Sequence, residues 1–127
     1  MDEPVPILLA EDEVLIRMNL EEELTEAGFD VMASWNGQQA IAELEAEPAR
    51  FFAVVTDIRL GRGPDGWEIA RRARELVPTM PVVYISGDSA GEWATRGVPS
   101  SVMVPKPFAP VEVLTAVMTL LEQAGSR

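Results

Sequence analysis

The sequence predicts an α/β fold in one domain: a doubly wound parallel sheet of five strands with helices on both faces. Three observations carry that expectation. Short apolar runs, most of them rich in Val and Ile, alternate with segments of helical period, and turn residues part them at nearly every junction. The runs are apolar on both faces, as strands covered from each side must be. The order, strand then helix, recurs five times, and right-handed crossovers make the doubly wound arrangement the default.

The first strand is Val5 to Ala10, and the helix after it runs from Glu13 to Ala27, with Gly28 as its stop. Phe29 to Ser34 is the second strand and Gly37 to Ala46 the second helix. Phe52 to Thr56 and Gly66 to Val77 form the third pair, Pro81 to Ser86 and Ala90 to Arg96 the fourth. That fourth helix is short, contains Gly91 and ends at Gly97, so its intrinsic stability is low and motion or fraying is expected. A weaker strand, Ser101 to Val104, precedes a helix from Pro110 to Gln123, whose proline stands where a missing N–H costs nothing. Val111, Val113, Leu114, Val117, Met118, Leu120 and Leu121 exceed one sheet-facing stripe. Either a partner covers the surplus or a neighbouring helix buries it. No internal repeat, linker or low-complexity segment interrupts the pattern, and the sequence closes on Gly125-Ser126-Arg127, so residues 1–127 read as a single domain without an output domain.

Composition narrows the function. With 21 acidic and 10 basic residues the formal charge is -11, which argues against non-specific binding to nucleic acid or an anionic membrane and favours basic or metal partners. Cysteine is absent, so disulfides and thiolate metal sites are excluded, and histidine is absent too. No apolar run approaches the ~20 residues of a membrane span, and Met1-Asp2-Glu3-Pro4 is acidic where a signal peptide would be basic. A soluble, cytoplasmic protein is expected.

In such a sheet, chemistry gathers at the carboxyl ends of strands near the point where strand order reverses. Those ends are Glu11-Asp12, Thr56-Asp57, Ser86-Gly87-Asp88 and Pro105-Lys106-Pro107-Phe108. With strands one, three, four and five side by side, three carboxylates, one hydroxyl and one ammonium group converge. Each has a plainer reading. Asp12 or Glu13 can cap the first helix, Ser86 can bond nearby backbone, and Lys106 can be a surface charge. Asp57 resists such a reading, because a carboxylate closing an apolar run needs a partner. Lys106 is also the only lysine in the chain. Carboxylates on adjacent strand ends suit Mg2+, and a carboxylate so placed can take up a phosphoryl group while a lysine offsets charge on its oxygens. A serine hydroxyl that donates only when that group is present makes a switch.

At these residues the chain resembles the response-regulator receiver domains of two-component signalling over almost its full length. The matching motifs are Glu11-Asp12, Asp57, Asp65-Gly66, Ser86-Gly87 and Lys106-Pro107-Phe108. The resemblance implies a flavodoxin-like sheet of order 2-1-3-4-5, with Asp57 as phosphoacceptor. It implies that Asp12, Asp57 and the backbone carbonyl of Arg59 bind Mg2+ directly and that Glu11 holds it through water. Ser86 and Lys106 would contact the phosphoryl oxygens, and the Lys106–Pro107 peptide would be cis. Glu13 is left as an ordinary acid of the first helical turn. The implied partners are a histidine kinase or histidine phosphotransfer protein and a downstream protein target. Phosphorylation would alter the face built from the fourth helix, fifth strand and fifth helix, where a homodimer could form and Trp93 would report the change. Beyond its own phosphorylation and dephosphorylation, no enzymatic activity is implied.

Some positions depart from the family pattern. Met103 stands where most receivers carry a rotating Tyr or Phe, and it offers neither ring nor hydroxyl. The loop from Ile58 to Gly66 is one residue longer than usual and lacks a common proline. Arg59 and Asp88 hold the two variable positions that influence water access to the acyl phosphate, and their opposite charges can pair. Gly61 to Gly66 spells G-x-G-x-x-G, but a dinucleotide fingerprint belongs after the first strand of its unit. A phosphohydrolase would commonly need a second acid where Arg59 stands. The alternatives kept open are a receiver-like interaction module independent of phosphorylation and a receiver excised from a hybrid histidine kinase.

Overall fold

The computed structural model describes residues 3–125. Strands β1 (Val5–Ala10), β2 (Phe29–Ser34), β3 (Val54–Asp57), β4 (Val82–Ser86) and β5 (Val102–Pro105) form one sheet of order β2-β1-β3-β4-β5. Every pairing is parallel, with Leu8 beside Val54, Val54 beside Val82 and Val83 beside Val102. Helices α1 (Val14–Glu26), α2 (Gly37–Ala46), α3 (Gly66–Leu76), α4 (Trp93–Arg96) and α5 (Pro110–Gly125) alternate with them. This is the doubly wound, flavodoxin-like fold that the sequence predicts.

Strand periodicity divides the core. Along β1, Ile7 and Leu9 face one layer with Leu20 and Leu24 of α1 and Val113 and Val117 of α5. Leu8 and Ala10 face the other, with Leu44 of α2 and Trp67, Ile69 and Ala73 of α3. All of these are fully or almost fully buried, so the central strands meet apolar neighbours on both faces.

The structure moves several expected boundaries. The β3 ladder begins at Val54, since Phe52 and Ala53 already bond β1 through Pro6 and Leu8 but leave the Phe52 side chain in solvent. It also ends one residue later, taking in Asp57 itself. Residues 90–96 are a 3-10 turn, Ala90–Glu92, followed by a single α-helical turn, and no residue of either is buried. Another 3-10 turn, Pro48–Arg50, has no counterpart in the sequence reading. On α5, Val113, Val117 and Leu120 are buried and Leu114 and Leu121 half-buried, while Val111 and Met118 stay exposed, so the apolar surplus is partly covered. No helix among the described residues is long and apolar enough to cross a membrane.

Candidate functional site

Strand order reverses between β1 and β3, and the carboxyl ends of β1, β3, β4 and β5 rim an open crevice of about 400 Å³ there. Asp12, Glu13, Asp57, Arg59, Gly87, Asp88 and Lys106 line it. Asp57 is the last residue of β3 and almost wholly buried. Its Oδ1 accepts the Ile58 N–H at 2.7 Å and its Oδ2 accepts from Lys106 Nζ at 3.1 Å. Gly66 starts α3 directly behind it, because a Cβ at that position would collide with the Asp57 carbonyl.

Glu11 follows β1 and is fully buried. Its Oε2 accepts the Glu13 N–H at 3.0 Å, whereas Oε1 accepts no hydrogen bond and has Lys106 Nζ 3.4 Å away. Burial, more than any neighbour, lifts the Glu11 carboxyl from 4.5 to about 7. Burial also raises Asp57, against the opposing pull of Lys106. On Lys106, burial is outweighed by hydrogen bonds to Glu13 and Asp57, so its ammonium form is held more firmly than usual. One oxygen each from Glu11, Asp12 and Asp57 lie within 4.8 Å of one another. Such a set of hard oxygens, with one buried carboxylate oxygen lacking a hydrogen bond, fits a Mg2+ ion.

The opposite flank belongs to β4. Ser86 is buried, and its Oγ accepts the Ser89 N–H at 2.7 Å and the Asp88 N–H at 3.2 Å. Both bonds use the oxygen as acceptor, which leaves its proton for an oxygen in the crevice. Arg59 and Asp88 pair across the mouth at 2.9 Å, both side chains well exposed. Met103 lies half-buried beside Tyr84 on the neighbouring strand and packs on the core layer of α2 and α3. Tyr84 is buried against Trp67, ring centroids 4.9 Å apart, and its hydroxyl accepts the Val98 N–H at 3.0 Å. Trp93 donates its indole N–H to Ser101 Oγ at 2.9 Å. The Lys106–Pro107 peptide is cis.

Three residues take roles that the sequence reading missed or gave differently. Glu13 is not merely an acid of the first turn: as the N-cap residue of α1 it makes no side-chain cap, and its Oε1 accepts from Lys106 Nζ at 3.0 Å. Its separation from Lys106 in sequence hides that contact. Asp65 is the N-cap of α3, closing a capping box with Glu68, a pattern that Asp65-Gly66-Trp67-Glu68 does announce. Ser89, which binds Ser86 and donates to Asp88 Oδ1 at 3.1 Å, has no sequence signal. Gly61 and Gly63 of the glycine-rich loop sit at φ 78 and 89, so turn geometry accounts for them without a nucleotide.

Residues 7–118 match the response regulator receiver domain family. A response regulator receiver protein from Sinorhizobium medicae WSM419 superposes with a TM-score of 0.91 at 50% identity, over 94% of this chain and 96% of that one. The response regulator receiver protein CpdR of Brucella abortus (strain 2308) is 40% identical over 84 residues, 66% of this chain and 68% of CpdR. The transcriptional activator protein IrlR of Burkholderia pseudomallei (strain 1026b) is 32% identical over 124 residues; the match takes in 95% of this chain but only 52% of IrlR. A crevice of carboxylates, hydroxyl and lysine at the switch point of this sheet agrees with that likeness, and the chain belongs to the response regulator receiver domains of two-component systems.

Proposed function

We propose that Asp57 is the phosphoacceptor and that this chain passes on a signal when a histidine kinase or histidine phosphotransfer protein phosphorylates it. Receiver domains are signalling switches, not enzymes acting on an external substrate. The observation that carries the reading is the approach of Lys106 Nζ to Asp57 Oδ2, 3.1 Å, beside a buried Glu11 oxygen with no hydrogen bond. Asp12, Asp57 and the Arg59 carbonyl would hold Mg2+ directly, and Glu11 through water. When bound, Mg2+ supplies positive charge that offsets the carboxylates and the phosphoryl oxygens.

The protein's own groups divide the work. Asp57 offers a carboxylate kept in place by the Ile58 N–H on Oδ1 and by Lys106 on Oδ2. Lys106 donates a hydrogen bond to a phosphoryl oxygen, and the unused O–H of Ser86 donates to another. Turning that hydroxyl inward draws on the Asp88 and Ser89 backbone, so the change reaches the turn leading into α4. With Met103 in the switch position, the readout passes through that turn and not through a rotating ring. The face of α4, β5 and α5 then presents itself differently to a target or a second copy. The fitting test is labelling with acetyl phosphate or phosphoramidate and Mg2+, followed by intact mass. The parent should gain one phosphoryl adduct and Asp57→Asn none; no adduct on the parent, or the same adduct on both, sinks the reading.

A further inference from the structure

Lys106 has three N–H donors and three carboxylates around it: Glu13 Oε1 at 3.0 Å, Asp57 Oδ2 at 3.1 Å and Glu11 Oε1 at 3.4 Å. Glu11 and Asp57 are buried, but the Glu13 side chain is 61% exposed. Glu13 nonetheless reaches Lys106 because its N–H is tied to Glu11 Oε2, which turns the start of α1 toward the crevice.

Transfer to Asp57 changes the partners available. One Asp57 oxygen bonds to phosphorus as the donor's P–N or P–O bond breaks, and the electron pair of that bond leaves with the donor group. One carboxylate charge is thereby replaced by a phosphoryl group of about two. The phosphoryl oxygens lie beyond Asp57 Oδ2, so Lys106 Nζ must shift from its present position between the carboxylates to reach one. The partner it can release at least cost is the hydrated one, Glu13, since a buried carboxylate stripped of its cation loses far more.

We propose that Glu13 is a positioning residue for Lys106, holding the ammonium group while Asp57 is free and releasing it when Asp57 carries a phosphoryl group. The Glu13–Lys106 contact therefore opposes phosphorylation and sets its threshold. This rests on the phosphoacceptor reading of Asp57.

The test compares the parent with Glu13→Gln, using beryllium fluoride and Mg2+ as a stable phosphoryl mimic. The variant should bind the fluoride about two- to fivefold more tightly, the range expected of an exposed ion pair. Because the chain has a single lysine, the NMR signals of its ammonium group report Lys106 alone. They should differ between parent and variant without fluoride and coincide with it. Unchanged affinity overturns the inference. So does a Lys106 signal that ignores the substitution in the free protein, or one that differs equally in both states. If the parent forms no fluoride complex, the phosphoacceptor reading falls along with the inference.

Discussion

Leu9 and Glu11 stand two residues apart on the same side of the chain, and both are fully buried. Glu11 even prolongs the β1 ladder, its N–H donating to Ser34 O at 3.0 Å. Burial contributes about 2 kcal/mol at Leu9, which meets only apolar neighbours. At Glu11 the same burial opposes ionisation and lifts the carboxyl to about 7. Two residues therefore separate a strand interior that holds the fold together from a strand end that strains it. The difference teaches where the strain gathers: in a cluster of like charges with one unpartnered buried oxygen, which the cation of the proposed function would relieve.

The largest effect should come from breaking the stabilising half of the pair. Leu9→Ala is expected to remove about 3 kcal/mol and about 10 °C of melting temperature, measured by denaturant and thermal unfolding. A loss below about 1 kcal/mol would remove the contrast. The destabilising half shows itself through pH. The folded Glu11 keeps its proton up to about 7, while in the unfolded chain it ionises near 4.5. An acid raised on folding weakens the fold as pH climbs through that window, so the metal-free protein should melt higher at pH 5 than at pH 8. The effect has an upper bound on the order of 3 kcal/mol, and Glu11→Gln should flatten the profile. A profile equally steep in parent and variant would assign the trend to other groups.

Added Mg2+ should raise the melting temperature of the parent at pH 8, by less than Leu9→Ala lowers it, and raise it less in Asp12→Ala. Equal gains in both proteins would place the cation elsewhere. The smallest change in stability belongs to Arg59→Ala, which opens an exposed ion pair and leaves the main-chain carbonyl in place; under about 0.5 kcal/mol is expected. The decay rate of the phosphorylated protein should nonetheless change, and an unaltered rate measured by intact mass would free the Arg59–Asp88 pair from any role in turnover.

How far the sequence discloses the fold depends on the range of the interaction involved. All five strands are legible, because a short continuous apolar run such as Val5–Ala10 or Val82–Ser86 is the local imprint of a strand covered by an apolar layer on each face. The 3-10 turn at Pro48–Arg50 leaves no such imprint, as three residues complete no period, and Ala90–Glu92 is legible only as the start of the short, weak helix expected from Ala90 to Arg96. In the site, Glu11, Asp57 and Lys106 stand out by being charged at the end of apolar runs. Glu13 does not, since an acid before a helix is ordinary and its partner is 93 residues away. The Tyr84 hydroxyl on the Val98 N–H and the Trp93 indole on Ser101 are likewise products of packing.

The Glu13–Lys106 contact has a bearing on when the protein is ready to act. Its two ends come from opposite ends of the chain, as do those of the Glu11–Lys106 pair. They meet only after β5 has joined the outer edge of β4, with β3 between them and β1. A chain still emerging from the ribosome, or one cut before β5, has Asp57 but lacks the lysine that readies it. Under the proposed function, competence to receive a phosphoryl group thus waits on the docking of β5 and the residue that follows it.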